Sequence, residues 1–446
     1  KPNMTSIISE MYKDRTEKKD GAYTLFYMGV NAGAFFGILL CGYLGEKVGW
    51  TYGFSLAGIF MFFGMLQFWL SQNIFGDIGL KPNKESKAKA EALDTDKRNP
   101  FTPIQLAAIA FSSVLALLWL VNDPASKISG GKVNVFSFLG PNGNSIAILS
   151  ALIVFILLLI YRFTQYSKIT KEKLIAVTFF AFLTIFFWAI FEQSPNSLTI
   201  FASDYTDRVL TGNWSVVFLV INSLITILPL VIITWVLTLL FKQTFKSYAI
   251  ANSILSVSFI IVWTIAIWML TKDYYTAGYL SLSDETLQTL KIDKVTTALT
   301  EVPATWFSTL NSLFIISLAP LFSKWWESKY NPSANLKYGI GMSLLALGMA
   351  CVAFGASGIE AGAKTASVSM IWLILVYLFH TMAELCISPV GLSYVSKLVP
   401  ARMIAFMFGV WYLAVAIGMK GAGMFGENID KIANENWFDY DTIVAT

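Results

Sequence analysis

The 446-residue chain is 56% hydrophobic and only 13% charged, against about 25% charged for an ordinary soluble domain. That balance reads as an integral membrane protein, and a net charge of +4 without a basic stripe argues against a nucleic-acid binder. Cys41, Cys351 and Cys386 all fall inside apolar runs, so they read as packing residues and not as a disulfide framework.

The chain opens on Lys1-Pro2-Asn3 and a polar helical segment at 1–12, which is not the pattern of a signal peptide. Apolar runs follow at 22–44, 52–71, 103–121, 145–162, 174–201, 214–241, 248–271, 304–323, 338–356, 368–396 and 403–425. Each approaches or exceeds the roughly 17–25 residues that cross a hydrocarbon core, so eleven spans are predicted. Alternate connections (13–20, 72–102, 162–173, 242–247, 324–337 and 397–402) hold 21 Lys and Arg, and the other set, with the tail, holds 9. The first set is therefore assigned to the cytoplasm.

Between Ser71 and Pro100 the sequence becomes rich in Lys, Glu, Ala and Asn, which predicts a cytoplasmic linker with a short surface helix at Lys84–Leu93. The runs 214–241 and 248–271 carry no ionisable residue on their membrane faces, which predicts a peripheral packing role.

The chemistry concentrates in a few polar residues at membrane depth. In Ile371–Met403, an uncharged helix places His380, Glu384 and Ser388 at successive i, i+4 positions, on one face. A carboxylate there costs roughly 2.5–3.5 kcal/mol on insertion scales, so it needs a partner or a watery cavity. Pro389 removes a backbone donor just beyond it and Gly391 follows, which makes this a place where the helix can bend. Glu192 stands in Phe191-Glu192-Gln193-Ser194-Pro195-Asn196-Ser197-Leu198, where Pro195 frees a carbonyl that lipid could not satisfy. That points to a helix opened toward a cavity or to a structural glutamate at a bend. Lys420 is read as snorkelling to the interface, His380 as a packing histidine and Tyr412 as a core aromatic. Asn31 lies among Gly29, Gly33 and Gly37, small residues that let helices approach closely.

An enzyme is disfavoured. One histidine cannot make a two-histidine zinc motif, and neither metal nor cofactor is expected. Gly355-Ala356-Ser357-Gly358 is similar to an intramembrane serine-protease motif, with His380 as its base. However, the topology puts His380 roughly 18 Å deeper than Ser357 at 1.5 Å per helical residue, whereas a base must come within about 3 Å of its nucleophile.

Three stretches in order carry a resemblance: Lys1-Pro2-Asn3, Phe26-Tyr27-Met28-Gly29-Val30-Asn31-Ala32-Gly33-Ala34-Phe35, and His380 through Pro400 with Glu384-Leu-Cys-Ile-Ser388-Pro389-Val-Gly391 at its centre. They resemble the signatures of the proton-dependent oligopeptide transporters, a branch of the major facilitator superfamily. The resemblance implies an all-α polytopic membrane protein of two-bundle architecture with extra helix pairs. It also implies that the chain is an internal piece lacking the first three helices and the last. Residues 1–71 would be the remainder of the N-terminal bundle (helices 4 to 6), 72–173 the linker and an additional pair, and 174–212 helix 7. Residues 213–303 would be an inserted pair with a periplasmic loop, and 304–446 helices 8 to 11 and a tail.

The same resemblance implies proton-coupled symport of di- and tripeptides across a bacterial cytoplasmic membrane, by a monomer whose partners are peptide, protons and the lipid bilayer. A non-transporting peptide sensor of the same fold is the alternative. Lys1, Asn31, Asn311, Glu384 and Trp411 would bind substrate. Glu192, Glu384 and Lys1 would couple protons, and Pro195, Pro389 and Gly391 would be hinges.

Overall fold

The computed structural model describes Ile7, Met11 and residues 16–76, 78, 100–295, 298–360, 363–399 and 404–427. The chain order of helices is α1 (Thr16–Lys47), α2 (Trp50–Leu70), α3 (Pro103–Ile128), α4 (Gly143–Thr164), α5 (Lys168–Phe191), α6 (Ser197–Ile200), α7 (Asn213–Thr244), α8 (Ala249–Thr276), α9 (Asp284–Leu290), α10 (Trp306–Glu327), α11 (Ala334–Ala356), α12 (Ile371–Leu398) and α13 (Ile404–Glu427). Among the described residues ten helices are long and apolar enough to cross a membrane, namely α2 to α5, α7, α8 and α10 to α13. The predicted run 22–44 lies within α1. This is a multi-pass membrane protein. The predicted helix at Lys84–Leu93 lies outside the described residues, as does most of the segment 1–12.

The chain forms two compact units, one of residues 1–81, 185–390 and 416–446, the other of 82–184 and 391–415. In the second, α3 and α4 pack as an antiparallel hairpin. Its start is fixed locally: Thr102 accepts from the Gln105 backbone, the Gln105 side chain accepts from the Thr102 N–H, and Pro103 takes the first helical position. Buried Arg162 lies over the Phe101 ring at 4.3 Å and donates to Tyr166 Oη at 2.8 Å.

In the first unit α10 runs along α1, and α8 lies on α2. Their shared core holds Phe36, Leu39, Leu40, Leu230, Ala266, Met269 and Trp306, so α7 and α8 are part of this unit's core.

A polar layer closes the end of this unit assigned to the outside. Two-residue strands pair there: β1 (Thr206–Asp207) runs parallel to β4 (Val368–Ser369), and β2 (Val209–Leu210) antiparallel to β3 (Thr300–Glu301). The segment entering α7 is thereby tied to the segment between α9 and α10. Glu46, near the end of α1, accepts from the backbone N–H of Ala304 at 2.9 Å and of Thr305 at 2.7 Å, just ahead of α10. A helix N-terminus presents unpaired donors and partial positive charge, so a carboxylate fits there. Gly42 permits the approach, because a Cβ at that position would stand 2.5 Å from Thr305 Oγ1. Lys47 Nζ lies 2.6 Å from Glu301 Oε2, and Arg208 Nη2 lies 3.0 Å from Glu301 Oε1.

Three expectations are corrected. The run 174–201 is not one helix: α5 begins at Lys168, stops at Phe191 and gives way to turns before α6, which continues as a π-turn over Phe201–Tyr205. The last predicted run of this pair does not end at 271: α8 extends to Thr276 and so holds half-buried Asp273. That carboxylate accepts from Tyr43 Oη on α1 at 2.6 Å and from Asn222 Nδ2 on α7 at 3.4 Å, so its burial is compensated. Tyr412 is half-buried, with part of its side chain outside the core.

Candidate functional site

The site begins with the broken helix. Proline has no N–H, so Pro195 cannot serve the Phe191 carbonyl, which accepts instead from the Ser194 backbone at 3.4 Å. The neighbouring backbone shifts register, with Gln193 N–H turning to Ile190 and Leu198 N–H to Gln193. Three carbonyls thus lose their helical partners and regain side-chain ones. Gln193 Nε2 donates to Ala189 at 2.9 Å, Asn196 Nδ2 to Glu192 at 2.9 Å and Thr199 Oγ1 to Ser194 at 2.8 Å. The polar cluster therefore serves the carbonyls that the break frees. Glu192 is half-buried at this opening.

One face of α12 meets both the break and α10. Tyr377, Thr381 and Glu384 share that face at helical spacing. Ser194 Oγ donates to Tyr377 Oη at 2.9 Å. Asn311 Nδ2 on α10 donates to Thr381 Oγ1 and to Glu384 Oε2, both at 3.1 Å. Beneath them Leu198, Ala202, Val302, Phe307, Leu373 and Val376 form an apolar base.

The predicted residues are thus divided. Asn311 and Glu384 are brought into contact, and the break around Pro195 joins the helix of Glu384, α12, through Ser194 and Tyr377. Asn31 is buried on α1. Trp411 is buried too, but in the second unit. Lys1 lies outside the described residues. Helix α12 continues through Pro389 and Gly391 to Leu398, and the two units divide at Val390 and Gly391.

His380 stacks on Phe191 with ring centroids 6.0 Å apart, hydrogen-bonds the Leu345 backbone and presses against Gly348. Ser357 is exposed and donates to the Phe354 carbonyl at 2.7 Å. Neither has the surroundings of a nucleophile and its base. Lys420 is half-buried on α13.

Gln193, Tyr377 and Thr381 were not singled out in the sequence. Two of them were findable, since Tyr377 and Thr381 precede Glu384 by seven and three residues on the same helix face. A cavity of about 840 Å³ between α1, α2, α7 and α8 is lined by glycines and apolar groups such as Phe36, Trp50, Leu230 and Val262. Among the described residues that line it none is charged.

Comparison with known proteins fixes the family. The sequence profile of the POT family matches residues 1–251 and 251–438. The chain belongs to the POT family. Among its relatives, the peptide transporter YePEPT of Yersinia enterocolitica is 25% identical over 429 residues, which cover 95% of this chain and 64% of the relative. A di-/tripeptide transporter of Lactococcus lactis subsp. cremoris is 23% identical, covering 93% of this chain and 63% of the relative. This POT chain thus spans less than two thirds of the length of these relatives. A solved peptide transporter POT in complex with sulfate superposes with a TM-score of 0.56 at 23% identity, over 97% of this chain and 68% of the other. A POT family transporter in complex with 5-aminolevulinic acid gives a TM-score of 0.57 at 21% identity, over 98% and 69%. The chain shares their fold.

Proposed function

We propose that this POT chain is the greater part of a proton-coupled symporter of di- and tripeptides, working by alternating access in a bacterial cytoplasmic membrane. The observation that carries the reading is the Asn311–Glu384 contact on the α12 face that also meets the opened helix below Glu192. A carboxylate and an amide held there by side chains of separate helices can be given up to an incoming ligand. A buried structural pair on a single helix could not be released in that way.

A peptide zwitterion needs an anion for its ammonium group and a cation for its carboxylate. Glu384 supplies the first and Lys1 the second. Asn311 and Asn31 hydrogen-bond the peptide, and Trp411 is carried over from the family resemblance as an aromatic that bounds a side-chain pocket. Glu192 carries the proton at the helix opening, with Glu384 and Lys1 coupled to it by competition for the peptide. Pro195, Pro389 and Gly391 supply the bending points. The division into bundle remnants, linker and inserted pairs at 71, 173, 212 and 303 is retained with this reading.

The test is Glu192→Gln in the full-length protein, reconstituted in vesicles. Proton-driven accumulation of a labelled dipeptide should be abolished while exchange between equal pools continues. Undiminished uphill uptake would remove Glu192 from the mechanism.

A further inference from the structure

The outer layer fastens α1 at its last turn to groups from three other parts of the first unit. Glu46 holds the Ala304 and Thr305 N–H groups at the start of α10, and Trp306 Nε1 donates to the Leu39 carbonyl at 3.4 Å. Lys47 joins Glu301 and, through it, Arg208, which also donates to the Val302 carbonyl at 2.5 Å. Lys272 Nζ on the inserted α8 donates to the Lys47 carbonyl at 3.1 Å, placing a cation at the C-terminus of α1. Asp273 beside it receives Tyr43 Oη.

These contacts differ in kind from the apolar packing deeper in the unit. Those of Glu46, Lys47 and Lys272 are charge-assisted, directional and half-exposed, so they break completely over a small separation and water takes the freed groups. Dispersion contacts lose energy gradually as surfaces part. By the family resemblance α1 is the fifth helix, of the N-terminal bundle, and α10 the eighth, of the C-terminal bundle. A set of ionic contacts joining these two at one end is therefore placed across the bundles that alternating access must separate.

We infer that Glu46 and Lys47 form an external latch, which holds the outer ends of α1 and α10 together and which the inserted pair α7–α8 reinforces through Lys272 and Asp273. This inference rests on the transport reading for its purpose and on the geometry for its existence. The insert then has a definite mechanical role: Tyr43 of α1, which donates to Asp273, also packs on Trp268 of α8 and on Trp306 of α10, with ring centroids 6.1 Å apart in each pair, so the insert holds α1 where α10 meets it. Outward opening requires release of the Glu46 carboxylate from the α10 N-terminus and of Lys47 from Glu301.

Distance measurement between spin labels tests it without substrate or gradient. Labels go on Val48→Cys and Ser357→Cys, both exposed, in full-length protein with Cys41, Cys351 and Cys386 replaced. The unaltered latch should give one dominant distance. Glu46→Ala with Lys47→Ala should add a longer distance, with the ratio of open to closed forms raised at least about tenfold, as loss of charged hydrogen bonds implies. Lys294→Ala, which breaks the exposed Lys294–Asp284 pair in the same outer region, should leave the distribution unchanged. A double variant indistinguishable from wild type, or a control that opens as much, overturns the latch. Should the double variant fail to fold, Glu301→Gln takes its place under the same criteria. A protein that opens as expected yet moves no peptide would keep the latch and discard the transport reading.

Discussion

Asn311 of α10 donates to the Glu384 carboxylate of α12 across 73 residues of sequence, at 3.1 Å. The same amide reaches Thr381, one turn back on α12. Two of its donors are thus spent on one helix face, which fixes the orientation of the carboxylate. The two side chains should therefore be energetically coupled. In a cycle of Asn311→Ala, Glu384→Ala and the double variant, thermal unfolding in detergent should show an interaction of about 0.5–3 kcal/mol. Additivity within about 0.3 kcal/mol would mean that the contact carries no weight.

Much of the fold was legible, because apolar runs of membrane-spanning length leave few choices. The reading failed where polar residues sit inside helices. The end of α8 was placed at 271 since Lys272 and Asp273 look like loop, whereas Asp273 is matched by Tyr43, 230 positions earlier. Hydropathy cannot register a partner that remote. The outer layer was missed for a related reason: its strands are two residues long, and Glu46 looks like an ordinary charge at a helix end. For the site, Glu384 and Asn311 were named but their contact was not, as nothing local links them.

Gly42 should not tolerate alanine. The new methyl would meet Thr305 Oγ1 at 2.5 Å and Cβ at 2.8 Å, and overpacking of this kind costs about 1–3 kcal/mol. Gly58→Ala and Gly64→Ala on α2, where a Cβ meets nothing within 4 Å, should be neutral or stabilising by up to about 1 kcal/mol. Unfolding temperatures of the three variants decide it, and equal values for Gly42→Ala and the controls would count against the close approach.

Glu301 gives the outer layer a pH dependence of definite sign. Burial alone would raise its carboxyl, but the Lys47 and Arg208 contacts outweigh burial and hold it below the ordinary range. A carboxylate depressed in the folded state stabilises fully above its unfolded value of about 4.3 and loses that contribution as pH falls toward the folded value. Wild type should therefore be more stable than Glu301→Gln at pH 7, with the gap closing below about pH 4. A gap that stays constant down to pH 3, measured by thermal unfolding, would show that the ion pairs contribute nothing.

The opened helix should depend on the side chains that serve its carbonyls. Asn196→Ala orphans the Glu192 carbonyl and Thr199→Val orphans that of Ser194, each at about 1–3 kcal/mol for an unsatisfied buried group. Because both losses are confined to the helix opening, both variants should speed amide exchange there, whereas an equally destabilising core change such as Leu198→Ala should speed it across the unit. Faster local exchange at 192–199, seen by mass spectrometry, is the expected result, and uniform acceleration across the unit would refute it.

The functional assignment of Glu384 can be separated from its structural one by the substrate. If the carboxylate receives the peptide ammonium group, its removal deprives a free peptide of a charged hydrogen bond in a poorly solvated place, where such bonds contribute about 1.5–3 kcal/mol. Glu384→Ala should then weaken binding of a free dipeptide by roughly 10- to 100-fold, taking about 1.4 kcal/mol per factor of ten. A peptide acetylated at its amino end has no charge to lose, so its affinity should fall much less. Asn311→Ala should lie between the two, since it removes one hydrogen bond and leaves the carboxylate in place with its orientation relaxed. Any collapse of the site caused by the substitution itself would weaken both peptides alike. Calorimetry on the full-length protein therefore discriminates: unequal losses assign Glu384 to the ammonium group, and equal losses confine it to holding α10 against α12.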